Sequence, residues 1–173
     1  MTEETTPNAA AGAAGATPAR QVLLQKIYLK DASLEVPLAP DVFTRQWQPQ
    51  LDVQVNTELK PLPQDHYQLM LSVTVTAKLG EDVAFLAEVH QAGVFIVRGF
   101  DNPAEKHAVL GAFCPGQVFP FARDAIADLV QRGGFPQLLL QPINFEALYV
   151  EHQQKAAAGR AQADTHGAAL ATH

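Results

Sequence analysis

The stretch GAFCPGQVFPFARD, residues 111–124, sets the chain's one cysteine, Cys114, among three phenylalanines and two prolines. A cysteine nucleophile needs a neighbouring base to take its proton, and His66, His90 and His107 are the histidines a thiol enzyme would use. No local spacing pairs any of them with Cys114. A cysteine between Phe113 and Pro115 fits a small buried hydrophobe better, and on that reading its thiol is inert. A metal centre finds as little support. The six histidines show no H-x-x-x-H spacing on an expected helix, and one cysteine cannot build a thiolate zinc site. The glycine pair at 133–134 belongs to nothing resembling a phosphate loop. These residues imply no catalysis, no metal and no cofactor.

The aromatics are a better lead. Phe113, Phe119, Phe121, Phe135 and Trp47 fall in the proline-punctuated segments APDVFTRQWQPQ, FCPGQVFPF and GGFPQLLLQP, which read as irregular. Loops run over the surface, so large aromatics on proline-stiffened loops are expected to line a groove open to solvent. A carrier of small hydrophobic ligands would also use an aromatic-lined site. Shape separates the two: a carrier needs a closed pocket of about 300–1,000 Å³, whereas a polypeptide needs an elongated open groove.

Composition bounds what can present such a groove. With 173 residues, 47% hydrophobic and 17% charged, the chain suits one globular domain with a sizeable core. A net charge of -6, from 12 Lys+Arg against 18 Asp+Glu, and the lack of any basic run argue against nucleic acid and for a basic partner. A lone cysteine fits a reducing cytosol. The N-terminus opens with acids and continues in alanine and glycine, unlike a signal peptide, and no apolar stretch reaches the length of a membrane span. A cytoplasmic protein with no membrane insertion is expected. Residues 1–19 and 155–173 carry almost no large apolar side chains and read as flexible tails around a domain at 20–154.

Inside that domain the first half alternates. In QPQLDVQVNTELK, Leu51, Val53, Val55 and Leu59 share one parity; in HYQLMLSVTVTAKL, Tyr67, Leu69, Leu71, Val73 and Val75 do the same. PLPQD and LGED are turns, the second leading into VAFLAEVHQAGVFIVRGF, and a further strand precedes them at about residues 22–36. Short connections without βαβ spacing predict a four-stranded antiparallel sheet. The second half turns helical. Asn102 and Pro103 mark a helix start, Ala122, Ile126, Leu129 and Val130 recur at helical spacing up to Gly133–Gly134, and Asn144 precedes a last helix. The fold class is α+β, with helices packed on one face of the sheet.

The segments KDASLEVPLAPDVFTRQWQPQLDVQVNT, VTVTAKLGEDVAFLAEVHQAGVF and LGAFCPGQVFPFARDAIADLVQRGGFPQLLLQPINFEALY resemble the SecB family of bacterial protein-export chaperones, from about Gln25 to Tyr149. The resemblance implies a homotetramer, built as a dimer of dimers, that binds unfolded precursor proteins without ATP and delivers them to the SecA translocation motor. It implies a client groove around Phe43, Trp47, Phe113, Phe119, Phe121, Phe135 and Tyr149. It implies docking of SecA on Asp31, Glu35, Leu86 and Glu88, and support of tetramer assembly by Ala87, Val89 and Gln91. Two departures stand out: alanine occupies position 87 where a cysteine can occur in relatives, and the turn FDNPAEKHA is about one residue longer.

Strand parity agrees with such a docking face. Asp31, Ser33 and Glu35 alternate with Ala32, Leu34 and Val36, while Leu86, Glu88 and His90 alternate with Phe85, Ala87 and Val89. Three acids are thereby expected around one leucine on the side away from the core.

Overall fold

The computed structural model describes the backbone of residues 19–169 and side chains as far as residue 157. Of the first expected tail, residues 1–18 lie outside the described residues. Four strands form one antiparallel sheet: β1 (Gln21–Glu35), β2 (Gln50–Leu62), β3 (His66–Leu79) and β4 (Asp82–Arg98), in the order β1-β4-β3-β2. Strands β2, β3 and β4 follow one another by hairpins, and β1 lies beside β4, so the connectivity is a Greek key. The β2–β3 turn places Gln64 and Asp65 at positive φ, and Gly80 at φ 66 closes the β3–β4 turn.

Burial follows the parity expected from the sequence. On β3, Leu69, Leu71, Val73, Val75 and Ala77 are buried while the intervening residues remain partly exposed. On β4 the inner set is Phe85, Ala87, Val89, Gln91, Phe95 and Val97. Neighbouring strands carry these residues in register: Leu71 lies opposite Gln91 and Val73 opposite Val89.

The helical half begins at Asn102, whose side-chain oxygen accepts a hydrogen bond from the backbone amide of Ala104 at 2.9 Å. From Pro103 the chain is helical without a break to Arg132: α1 (Pro103–Ala108), a π turn over Val109–Phe113, and α2 (Cys114–Arg132). The two prolines and the glycine of FCPGQVFPF had predicted irregular backbone there, so this segment corrects the sequence reading. Pro115 directly follows the π turn, and its missing amide leaves a carbonyl one turn back without the usual helical donor. Pro120 is internal but lies on the exposed side, where an unpaired carbonyl costs least. What holds the helix is packing. Leu110, Cys114, Val118, Ala122, Ile126 and Val130 recur every four residues and are all buried, forming one stripe against the inner face of the sheet.

The last turn of α2 closes with a Schellman pair. Gly134 at φ 85 donates to Gln131 at 3.0 Å, and Phe135 donates to Val130 at 3.2 Å. Only glycine takes that conformation readily, and it returns the chain inward so that Phe135 is buried. Helix α3 (Phe145–Ala169) starts behind Asn144, which accepts from the amide of Ala147 at 3.0 Å. Its backbone is helical through the alanine-rich stretch that composition had read as a flexible tail from residue 155. No helix among the described residues is long and apolar enough to cross a membrane.

Cys114 lies in the buried stripe. Burial pushes its thiol from an ordinary value of 9.0 up to about 12. A nucleophile needs the opposite shift. Because the folded value is raised, the stabilising contribution is complete below about pH 9 and is lost as pH rises toward 12, when the unfolded chain ionises first. Cys114→Ala should cost about 1 kcal/mol through a small cavity, read by urea unfolding, and should flatten the loss of stability above about pH 9. Rapid alkylation of Cys114 in the folded protein at about pH 8 would contradict this burial.

Candidate functional site

Helix α2 packs on β4, β3 and β1, and β2 is left at the edge with its apolar parity uncovered. Leu51 keeps 47% of its surface exposed, and Val53 and Leu59 are exposed as well. Beside them the segment after α2, residues 135–144, returns along the sheet without regular structure and contributes Leu138, Leu140 and Ile143.

Three depressions adjoin along this face of β2. The first, about 500 Å³, lies between Leu51, Val53 and Val55 on the strand and Leu138–Ile143 with Leu148 opposite. The second, about 70 Å³, involves Val55, Thr57, Phe145, Leu148 and Tyr149. The third, about 210 Å³, runs from Thr57 and Leu59 to His107, Leu110, Tyr149 and Gln153. The first and second share Val55 and Leu148; the second and third share Thr57, Gly111 and Tyr149. Together they make one open trench. At about 3.3 Å per residue it is roughly 26 Å long from Leu51 to Leu59. Its walls are mainly aliphatic.

The aromatics proposed from the sequence are distributed unevenly around it. Tyr149 lines the trench, and the amide of Gln153 donates to its hydroxyl at 3.0 Å. Phe43, Trp47 and Phe135 come together outside the trench lining, with ring centroids 5.3 Å apart for Phe43–Phe135 and 5.1 Å for Trp47–Phe135. Phe85 of β4 completes that cluster, 4.9 Å from Phe135 and 6.3 Å from Trp47. This cluster pins the β1–β2 crossover, residues 36–49, onto the inner face of the sheet, helped by the Arg45–Asp82 ion pair at 2.7 Å. Phe119 is buried edge-on against Phe145 at 5.7 Å. Phe113 and Phe121 remain 51% and 50% exposed on the helix, each one residue before a member of the buried stripe, and neither lines the trench.

The aliphatic lining was missed, although two signals carried it. The apolar parity of β2 includes Leu51, Val53 and Val55, and the run FPQLLLQPI is bracketed by prolines. Neither signal says which apolar face stays uncovered.

The opposite face of the sheet carries the acids. Glu35 lies opposite Leu86, Ser33 opposite Glu88 and Asp31 opposite His90 across the β1–β4 ladder, so all four expected docking residues share one face. Asp31 and Glu35 are exposed, Leu86 and Glu88 half-buried. His90 joins them, with its Nε2 2.5 Å from Glu88 Oε1 and its Nδ1 3.0 Å from Ser72 Oγ. Ala87 and Val89 are fully buried on the inner face and Gln91 is nearly so, beneath the helix layer.

An α+β domain with one helix layer, an open apolar trench and a separate acidic face is the class these features define. The family model described as preprotein translocase subunit SecB matches residues 15–156. The chain is 50% identical to the protein-export protein SecB of Thioalkalivibrio sulfidiphilus over 87% of its length and 89% of that protein's. It is 48% identical to the SecB of Halorhodospira halophila, over 88% and 87%. The chain belongs to the SecB family. Among solved structures it is similar in fold to a SecB-like chaperone of Mycobacterium tuberculosis in complex with a ChAD peptide from an antitoxin, with a TM-score of 0.59, 18% identity and 70% and 90% of the two chains covered.

Close packing at Gly111 fixes one wall of the trench. A Cβ on Gly111 would meet Tyr149 Cδ2 at 2.4 Å and Cε2 at 2.6 Å. Gly111→Ala should therefore destabilise the protein by about 1–3 kcal/mol through overpacking. In a Tyr149→Ala background the same change should become neutral or stabilising by about 0.5–1 kcal/mol, the helical preference of alanine over glycine. A double-mutant cycle by chemical denaturation measures the reversal, and equal costs in both backgrounds would show that the ring does not rest on Gly111.

Proposed function

We propose that this chain is a cytoplasmic, ATP-independent chaperone that holds unfolded precursor proteins along the β2 trench and passes them to the SecA motor. The observation carrying the reading is the trench's shape: roughly 26 Å of open, aliphatic wall accommodates about eight residues of extended chain. A carrier of small hydrophobic ligands would enclose its cargo, and this trench is open along its side. Each aliphatic or aromatic client side chain transferred from water onto such walls contributes about 1.5–3 kcal/mol when fully buried, before ordering costs. Several together hold an unfolded segment with little regard for its sequence. No cofactor and no enzymatic step enters this reading.

The working form is a homotetramer built as a dimer of dimers. Exposed Phe113 and Phe121 on the helix surface and the free edge of β1 support contacts between copies. Their place on the helix favours such contacts over client lining. Ala87, Val89 and Gln91 support assembly indirectly, because they set the height of the helix layer from beneath. The Phe43, Trp47, Phe135 cluster acts at one end of the groove by holding the crossover, while Phe119 and Tyr149 hold α3 to its other wall.

Charge on the trench wall tests the client reading. Val53→Asp with Leu139→Asp changes two exposed positions, 41% and 62%, so stability should change by only about 0.5 kcal/mol per site. Capture of a reduced, unfolded precursor should fall at least about tenfold while native mass stays tetrameric. Unaltered capture by that tetramer would refute the trench as the client site.

The acidic face supplies the docking half of the proposal, with Asp31, Glu35 and Glu88 around Leu86. Exposed ion pairs are individually weak and screened by salt, so a basic segment of SecA is held by the patch as a whole. Glu35→Lys with Glu88→Lys should abolish association with SecA at moderate ionic strength. Loss of SecA binding and precursor binding together, in a protein of unchanged mass, would defeat the assignment of two separate surfaces.

A further inference from the structure

Among the polar residues of the outer face, His90 is the one whose two ring nitrogens are both engaged. Glu88, two residues before it on β4, faces Nε2 at 2.5 Å, and Ser72 on β3 faces Nδ1 at 3.0 Å. Asp31 is its ladder partner on β1. The bulge on β1 beside that pair contains Lys30, whose ammonium lies 3.7 Å from Met70 Sδ on β3. Thr74 and Met70 flank Ser72 on the same face of β3, and Asn56 of β2 pairs with Ser72. Among the described residues no helix packs on this side, since the helix layer covers the inner face.

The bonding pattern determines where the protons sit. A carboxylate only accepts, so Nε2 carries the hydrogen and donates it to Glu88. That leaves the Nδ1 lone pair to accept from the Ser72 hydroxyl. When the ring gains a second proton, it goes to Nδ1, which then donates to Ser72 Oγ while the hydroxyl hydrogen turns away. Both protonation states use the same heavy-atom geometry. The ring thus changes charge without a change of shape.

We propose that His90 is a positioning and charge-setting residue of the acidic docking face. Held between Ser72 and Glu88, it aims the Glu88 carboxylate beside Leu86. On protonation it cancels one of the three negative charges that a basic partner meets. A neutral ring leaves three acids facing a basic partner and a protonated ring leaves a net two, so docking is tighter with the neutral ring and looser with the charged one. Binding of a basic segment in turn opposes protonation of His90, by linkage. The inference rests on the docking reading above and adds its regulation.

The test measures affinity for SecA, on the intact oligomer, at about pH 7.5 and about pH 5.5. Wild-type protein should bind about two- to fivefold more weakly at the lower pH, the scale of one exposed charge pair. His90→Gln, which keeps an uncharged donor toward Glu88, should bring the ratio between the two pH values close to one. His90→Ala should weaken docking at about pH 7.5, with His90→Gln recovering part of that loss. Ring-nitrogen NMR should show the neutral ring protonated on Nε2. An unchanged pH response in His90→Gln, or a neutral ring protonated on Nδ1, overturns the His90 assignment alone. Wild-type protein that captures precursor but binds SecA at neither pH overturns the docking reading itself, and this role of His90 with it.

Discussion

The helix layer is narrower than the sheet, and much else follows from that mismatch. One helical stretch from Pro103 to Arg132 presents a single stripe, Leu110 to Val130 in steps of four, and a stripe that wide covers β1, β4 and β3. Strand β2 carries the same inward apolar parity as its neighbours but receives no α2 over it. In an isolated sheet such a face would be a liability for aggregation. Here the segment after α2 and the start of α3 stand opposite it at a distance, and the gap between them is the trench.

That spacing depends on two backbone devices. The Schellman turn at Gly133–Gly134 sends Phe135 back into the aromatic cluster with Phe43, Trp47 and Phe85, which fixes one end of the returning segment. Gly111, in the π turn, lets Tyr149 lie directly on the helix, which fixes α3. A π turn shifts the phase of the helix that follows. In this chain it lies just before Cys114, between α1, which has no buried residue, and α2, which carries most of the buried stripe. The aromatics set the walls of the site more than they form its lining, and the lining falls to Leu51, Val53, Leu138, Leu140 and Ile143.

Strands were legible because period-two burial leaves a strong mark. The range expected for β3 from its alternation coincides with the observed His66–Leu79, and both helix caps, Asn102 and Asn144, accept the bonds their positions predicted. The helix over 113–121 was not read, because two prolines and a glycine outweighed a periodic stripe that runs through the same residues. Local punctuation is a statement about isolated chain, and burial of six apolar residues overrides it. The groove was legible as a need for exposed apolar surface but not in its location. Parity says which residues share a face; it does not say how far a helix layer extends over that face.

Strand β4 shows how closely two surfaces can be set in one element. Its inner residues Ala87, Val89 and Gln91 carry the helix layer, and its outer residues Leu86, Glu88 and His90 form the polar face, each set interleaved with the other. A register slip of one residue would exchange them, burying Glu88 unpaired and exposing Val89. The inner set prevents this slip, because Ala87, Val89 and Gln91 are buried opposite Val75, Val73 and Leu71 of β3, and Ala87 and Val89 belong to the same core cluster as the helix stripe. Packing on the inner side therefore fixes the geometry of the charged side, although no side chain reaches through the sheet. Changes to the outer residues have no such hold on the inner ones, since exposed polar groups at a strand surface contribute little to register. The acidic face can accordingly differ in charge and in histidine content while the trench behind it keeps its shape.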